Sequence, residues 1–170
     1  KSKKAYPNQI LSVTFTNKAS QEMQNRVSSM LKKEAIGLSW LGTFHSVSAK
    51  ILRKHAGAAG LNSNFSIIDQ DDQIRLIKNI CKAENIDVKK ISPQFVISKI
   101  NHWKNNGLLP SNIKIKKSEI FDKGILEVYK IYQEKLLALN ACDFGDLILH
   151  CVSIFEKNKD ILNIYSKNFK

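Results

Sequence analysis

Five consecutive residues, Thr14 to Lys18, combine side chains that can bind a phosphate group. Thr14 and Thr16 supply hydroxyls, Asn17 supplies an amide and Lys18 a positive charge. An apolar, β-branched run precedes them and apolar residues at helical spacing follow, so a strand is predicted to turn into a helix here. The first N–H groups of a helix have no intrahelical partner and favour an anion. The stretch therefore predicts a phosphate-binding corner, with Thr16 or Asn17 capping the helix.

A second corner of the same kind is predicted around residues 43–46. Residues 40–44 are typical of a short strand, and the next helix is predicted to begin at His45 and Ser46. Thr43, His45 and Ser46 would then lie at a helix N-terminus, which again favours phosphate. No nucleophile or acid neighbours His45 in the sequence, so a catalytic role is disfavoured, and Phe44 is predicted to be a packing residue.

Both corners, together with a later segment, resemble the superfamily 1 DNA helicases of the UvrD, Rep and PcrA type. The resemblance rests on three motifs in the family's order: Thr14–Ala19 with Glu22, Met23 and Arg26 (motif Ia), Gly42–Ser46 (motif Ib), and Asp143–Leu147 (Asp-Phe-x-x-Leu). It extends over nearly the whole chain. Three ordered motifs are far more specific than one.

The resemblance implies that the two corners bind single-stranded DNA, with Phe15 stacking on a base. The predicted DNA-binding residues are Thr14, Phe15, Thr16, Asn17, Lys18, Arg26, Thr43, His45 and Ser46. Structural alternatives remain open for several of them. Phe15 could be a core residue of the strand, Asn17 only a cap, Arg26 a solvated or salt-bridged side chain, and His45 a neutral structural histidine.

The predicted elements are mostly α-helical, and the resemblance implies a helical 1B-type domain attached to a partial RecA-like α/β segment of the P-loop NTPase type. Residues 1–45 are expected to form the partial RecA-like 1A segment (strand–helix–strand), and residues 46–168 the helical 1B-like domain. Apolar periodicity and capping residues place the elements. Strands are predicted over 10–16, where the apolar run is typical of a strand buried on both faces, and over 40–44, with a brief extended segment over 65–68. Helices are predicted over 18–33, with Gly37 as a helix stop, and over 71–84, 119–139 and 160–167, with further helices starting at 45, 93 and 144. Asp69, Ser92, Ser118 and Asp143 are predicted caps, and Ile148 is predicted on the buried side of the helix that starts at 144.

Two other groups of residues have competing interpretations. Asp143 and Asp146 could bind a metal or act in acid–base chemistry, but a helix N-cap and first turn favour acidic residues, so the structural role is preferred. Trp103 and Lys104 form an aromatic–basic helix end that could contact duplex DNA. A tryptophan at helical spacing from Ile100 is more often a core residue, and that reading is preferred.

Composition and charge limit the class of protein. Hydrophobic residues make up 43% and charged residues 25%, as in globular proteins. The net charge is +12, and residues 1–60 hold ten Lys or Arg against two acids, which favours a polyanionic partner. Three cysteines without metal-binding spacing indicate buried thiols in a reducing, cytoplasmic setting. No signal peptide or membrane span is predicted, and the missing initiator methionine suggests an excised segment.

The sequence contains neither a G-x-x-x-x-G-K-[ST] phosphate loop nor an Asp-Glu pair after an apolar strand. The resemblance implies that the parent protein is an ATP-dependent 3′–5′ DNA helicase with ATP and Mg²⁺ as cofactors. Because these motifs are absent, this chain is expected to be a fragment of it that binds neither. Its expected partners are single-stranded DNA, single-strand/duplex junctions and the missing helicase domains (the rest of 1A, 2A and 2B). The alternative is a stand-alone helical nucleic-acid-binding or protein-interaction module from a split or decayed helicase gene.

Overall fold

The computed structural model of the chain describes residues 5–31, 38–85, 92–115 and 120–170, with backbone only at 120 and 121. Over these residues the fold is mostly helical, as expected from the sequence. In chain order the elements are β1 (Ser12–Thr14), α1 (Asn17–Leu31), β2 (Leu41–Thr43), α2 (Phe44–Lys54), β3 (Ser66–Ile67), α3 (Gln70–Ala83), α4 (Pro93–Asn105), α5 (Ile120–Ala138), β4 (Ala141–Cys142), α6 (Phe144–Lys157) and α7 (Lys159–Asn168).

The two N-terminal strands pair in parallel, with Ser12 opposite Leu41 and Thr14 opposite Thr43. Both strands are shorter than predicted. The expectation that β1 is buried on both faces is wrong, since its three residues are only partly buried. Among the described residues β1 has a single neighbouring strand, so its sheet cannot enclose it as a wide parallel sheet would.

Most of the predicted helix caps are confirmed by hydrogen bonds from backbone N–H groups to a side-chain oxygen. Thr16 caps α1, so of the two candidates there the threonine has this role, and Asn17 is the first helical residue. The other capping residues are Thr43, Asp69, Ser92 and Asp143. The predicted helix stop at Gly37 and the predicted cap at Ser118 lie outside the described residues.

Helices α3, α4 and α5 enclose one apolar core. Its buried residues include Ile77, Ile80, Ile100, Val128 and Tyr132. Trp103 belongs to this core and stacks on Tyr129 with ring centroids 5.9 Å apart. The core interpretation of Trp103 is therefore confirmed, and its indole is not available to duplex DNA.

A second core joins α2, α6 and α7 to the N-terminal sheet. Its buried residues include Val47, Leu52, Leu147, Ile154 and Tyr165, and the partly buried Val13 and Trp40 pack against it. The Trp40 ring is nearly perpendicular to the rings of Tyr165 and Phe169, at centroid distances of 5.8 and 5.5 Å. Ile148 lies outside this core at 37% exposure although a buried position was predicted, because α6 turns Leu147 and Cys151 toward α2.

The strands β3 and β4 form a second parallel pair, only two residues long. The sequence predicted the extended segment at 65–68 but missed β4. Asn140 precedes β4 with a φ of +48°, a conformation that asparagine tolerates better than most residues. Its side-chain oxygen accepts a hydrogen bond from the Asn62 N–H at 2.8 Å. The turn after α5 is thereby tied to the segment that leads into β3.

Two further expectations concern the interior and the membrane. Cys81, Cys142 and Cys151 are all buried thiols, as predicted. Burial raises the pKa of Cys142 to about 12 and that of Cys151 to about 11, so both remain protonated at neutral pH. None of the helices in the described part of the chain is long and apolar enough to cross a membrane. The domain boundary at residues 45 and 46 stays a prediction.

Mild acidification should destabilise this fold through two partly buried histidines. Burial lowers the pKa values of His55 and His150 from their ordinary value of 6.5, so the unfolded chain binds protons that the native chain rejects. The free energy of unfolding should therefore fall as the pH drops below about 6.5. Urea denaturation at pH 7.5 and at pH 5.5 measures this. The double variant His55→Gln/His150→Gln should show a smaller loss than the exposed-residue control His102→Gln, and equal losses would contradict the prediction.

Candidate nucleic-acid interface

The pairing of β1 with β2 brings the two predicted phosphate corners together. Thr14 and Thr43 are register partners at the carboxyl ends of the strands. Helix α2 begins one residue after Thr43, and α1 begins three residues after Thr14. The two helix N-termini therefore open at the same sheet edge, and their partial positive charges are directed to the same place.

Hydroxyl groups organise both corners. The Thr16 Oγ1 accepts the N–H of Ala19 at 3.1 Å, and the Thr43 Oγ1 accepts the N–H of Ser46 at 3.2 Å. Thr14 donates its hydroxyl to the Thr16 carbonyl at 3.1 Å, and Ser46 donates to the Thr43 carbonyl at 2.9 Å. Thr43 is buried, whereas Thr16, Asn17, Lys18 and Ser46 are exposed. A ligand at this edge can therefore reach the four exposed side chains, while the role of the buried Thr43 is to cap α2.

Phe15 stands out from this edge with 88% of its surface exposed. The interpretation of Phe15 as a core residue is therefore wrong: the residue follows the last residue of β1 and is not part of the strand. Its ring contacts Phe44, with centroids 5.2 Å apart and planes inclined by 43°. Phe44 was predicted to be a packing residue, and it packs on the surface against Phe15 while 41% of it is exposed.

His45 extends the exposed aromatic surface to a third segment of the chain. Its ring meets the ring of Phe144 nearly at right angles, with centroids 5.8 Å apart. Phe144 is the first residue of α6 and is half exposed. We call Phe15, Phe44, His45 and Phe144 the aromatic strip. Phe144 was missed as a site residue although it belongs to the third motif. The signal was available, since it directly follows an N-cap and lies three residues before the buried Leu147.

Arg26 lies apart from the helix start. It is exposed and borders a shallow groove on α1 that Ala19, Glu22, Met23 and Val27 also line. At 1.5 Å per residue it is about 14 Å along the helix axis from Asn17. Contact with the same nucleotide as Phe15 is therefore disfavoured for Arg26, and contact with a more distant phosphate remains a prediction.

The structural role predicted for Asp143 and Asp146 is confirmed. They form a reciprocal capping box: the Asp143 Oδ1 accepts the Asp146 N–H at 2.9 Å, and the Asp146 Oδ2 accepts the Asp143 N–H at 3.2 Å. The buried Lys104 ammonium lies 2.6 Å from Asp143 Oδ2 and 2.7 Å from Asp146 Oδ1. Burial and the neighbouring carboxylate raise the pKa of Asp143. Burial alone would raise the pKa of Asp146, but the Lys104 ammonium outweighs it and the pKa is lowered.

These residues do not fit a magnesium ion. The Lys104 ammonium stands where a cation shared by the two carboxylates would have to lie. No cluster of three His, Cys, Asp or Glu side chains suited to a metal occurs within residues 5–31, 38–85, 92–115 and 122–170. The reading of Lys104 as a DNA-contacting residue is also wrong, since it is only 4% exposed. No chemical step through ATP or Mg²⁺ can be derived from the residues present.

The chain belongs to the UvrD/REP helicase family, since the model of the UvrD/REP helicase N-terminal domain matches residues 1–170. The resemblance drawn from the three motifs is therefore confirmed.

Curated relatives with this similarity are much longer proteins. The chain is 42% identical over 170 residues to a probable DNA helicase II homolog of Rickettsia conorii, covering 98% of the chain and 25% of the relative. It is 38% identical over 164 residues to the ATP-dependent DNA helicase PcrA of Bacillus subtilis, covering 96% of the chain and 22% of the relative. The PcrA of Staphylococcus aureus strain Mu50 is 37% identical over the same length. The chain thus spans about a quarter of the relatives that it matches.

Gly42 should be required for the geometry of the second corner. A Cβ at this position would collide with the Ser46 Oγ, so Gly42→Ala must rotate that hydroxyl away from the Thr43 carbonyl. We expect a loss of about 1 kcal/mol in the free energy of unfolding, the contribution of one hydrogen bond. Urea denaturation measures it. In a Ser46→Ala background the same substitution should cost nothing, and Gly57→Ala, where a Cβ meets no atom within 4 Å, is the control.

Proposed function

We propose that this chain binds single-stranded DNA through the aromatic strip and the two adjacent helix N-termini. One observation carries the proposal: exposed aromatic rings lie beside two N-termini that open at the same sheet edge. Aromatic faces stack on unpaired bases of any sequence, and helix N-termini bind phosphates. A duplex hides the faces of its bases in the stack, so the strip favours a single strand.

The residues divide into two roles on this proposal. Phe15 stacks on a base, and Phe44 supports its ring from behind. The exposed Thr16, Asn17 and Lys18 contact the backbone phosphates at the start of α1. Ser46 and His45 do the same at α2, with the exposed face of Phe144 beside them. Thr14 and Thr43 hold the backbone of the two corners in place.

Some cations of the basic N-terminal third are held by contacts within the protein and are not available to the DNA. Lys50 donates to the Ser39 carbonyl at 2.6 Å and lies over the ring of Trp40. Arg53 donates to the carbonyls of Ser63 and Phe65 and stacks over the Phe65 ring. Among the described residues, these contacts leave Lys18 as the cation best placed at the strip. Binding should accordingly be salt-sensitive with a shallow slope, because few phosphates are neutralised.

For the parent protein we propose an ATP-dependent DNA helicase that moves 3′ to 5′ and unwinds at single-strand/duplex junctions. Relatives named DNA helicase II and PcrA support this, as does the family to which the chain belongs. The parent would bind ATP and Mg²⁺ with residues outside these 170 and would act in the cytoplasm, in DNA repair. Within the chain, residues 1–45 would contribute to the 1A domain and residues 46–168 would form the 1B domain.

Replacing the exposed ring is the direct test of DNA binding. Phe15→Ala should weaken binding of a labelled oligothymidylate about tenfold, because a base stacked on one aromatic side chain contributes roughly 1–3 kcal/mol. Fluorescence anisotropy at low salt measures the affinity. The substitution should leave stability nearly unchanged, since Phe15 is 88% exposed. Met30→Ala, which removes an apolar side chain exposed to 73% near the far end of α1, is the control and should bind like the unaltered chain.

His45 provides a second, independent test. His45→Ala should lower the affinity less than Phe15→Ala does, because it removes one polar contact with the DNA and the ring that packs against Phe144, but no stacked base. Equal affinity of all variants, or binding that does not respond to salt, would contradict the proposed interface. The chain alone should show no ATP hydrolysis above background with or without DNA, and turnover at a helicase-like rate would contradict the assignment of the nucleotide site to other residues.

A further inference from the structure

The charged cluster behind the first turn of α6 has no place in the DNA contacts proposed above. Lys104, Asp143 and Asp146 are each at most 4% exposed, and the cluster pairs one ammonium with two carboxylates. Bringing such charges out of water costs several kcal/mol each, and apolar residues of similar size often stabilise a fold equally well or better. Stability alone therefore gives no reason for a lysine at this position.

Its hydrogen bonds connect three helices at one point. Each aspartate uses one oxygen in the capping box of α6 and offers the other to the Lys104 ammonium. Tyr132 of α5 donates to the same oxygen of Asp143 at 2.9 Å, and Gln133 donates to the same oxygen of Asp146 at 3.0 Å. The end of α4 and the middle of α5 thus determine where α6 begins.

The aliphatic part of Lys104 also packs against the backbone of that turn. A Cβ at Gly145 would meet the Lys104 Cδ at 3.0 Å and the Asp143 Oδ1 at 3.3 Å. The lysine therefore lies directly behind the turn, and the half-exposed Phe144 lies next to Gly145 and contacts His45. A shift of this turn would move the Phe144 ring relative to the rest of the aromatic strip.

We propose that Lys104 is a positioning residue for DNA binding: by holding the capping box of α6, it aligns the Phe144 ring with His45. The inference rests on the proposed function, because it assigns a role within that same site. Lys104 itself does not touch the DNA. It links the helical core of α3, α4 and α5 to the strip, so that the orientation of Phe144 depends on α4 and α5.

The test is a double-mutant cycle of Lys104→Met and Phe144→Ala in the 170-residue chain, with anisotropy of a labelled oligothymidylate as the measurement. Phe144→Ala should weaken binding about tenfold, and Lys104→Met about threefold to tenfold, within what one stacked base contributes. In the Phe144→Ala background, Lys104→Met should have no further effect. The dependence of affinity on salt should not change, because no phosphate contact is lost.

Two further variants keep the test interpretable. Lys104→Met leaves two buried carboxylates without their cation, so a second variant adds Asp143→Asn and Asp146→Asn, which keep capping oxygens and remove the charges. It should fold, as judged by urea denaturation, and show the same selective loss of affinity. Lys99→Met removes a cation of the same helix that pairs with Asp122 at 2.9 Å, and it should bind like the unaltered chain.

Each other result has a defined meaning. Folded Lys104 variants with unaltered affinity would overturn the positioning role, as would equal losses with and without the Phe144 ring, which indicate a general structural effect. A shallower salt dependence would mean a direct phosphate contact and would also overturn it. These results leave the DNA interface standing if Phe15→Ala still weakens binding. If the unaltered chain does not bind the oligothymidylate, the proposed function fails, and this inference fails with it.

Discussion

The parallel pairing of β1 with β2 is the constraint on which the candidate interface depends. Three residue pairs determine which helix starts lie side by side. A slip of one residue would move one strand by about 3.3 Å and turn its side chains to the opposite face of the sheet. The two hydroxyl caps would then no longer open together, and Phe15 would lose its contact with Phe44. The three residue pairs between β1 and β2 thus determine the geometry of the whole candidate interface.

So short a strand pair cannot maintain its register by its own hydrogen bonds. Helix α2 continues directly from β2, and α6 packs along α2 through Val47, Leu52, Leu147 and Ile154. Trp40, just before β2, is enclosed by Tyr165 and Phe169, and the N–H of Lys170 donates to the Gln9 carbonyl at 3.0 Å. The last helix therefore holds the first sheet in place, across nearly the whole length of the chain.

The candidate interface has exposed aromatic rings at its surface and hydrogen-bonded polar groups beneath them. Phe15, Phe44 and Phe144 leave much of their apolar surface in water, which gives no folding advantage and is typical of a surface that meets a partner. Behind them lie threonine caps and the buried capping box of α6, whose polar groups are paired. A rigid support of this kind reduces the ordering cost when a flexible strand binds.

Local signals in the sequence predicted what depends on local interactions. The helices and the caps at Thr16, Asp69, Ser92 and Asp143 follow from residue type and spacing, because a cap bonds to a backbone group two or three residues away. The strand limits, β4 and the exposure of Ile148 were missed or wrong. Each of these depends on which distant segment packs beside the residue, and a pattern along the chain does not contain that information.

Motif order and helix signals are properties of consecutive residues, so they were enough to predict the family, the mostly helical fold and the two strand-to-helix corners. The exposure of Phe15, its surface contact with Phe44, and the contact of Phe144 with His45, 99 positions away, are visible only in the folded chain. The same holds for Lys104, which the sequence placed at an aromatic–basic helix end and which is buried between two aspartates. The physical reason is common to all four: exposure and ionic partners are set by packing between helices that are distant in the chain.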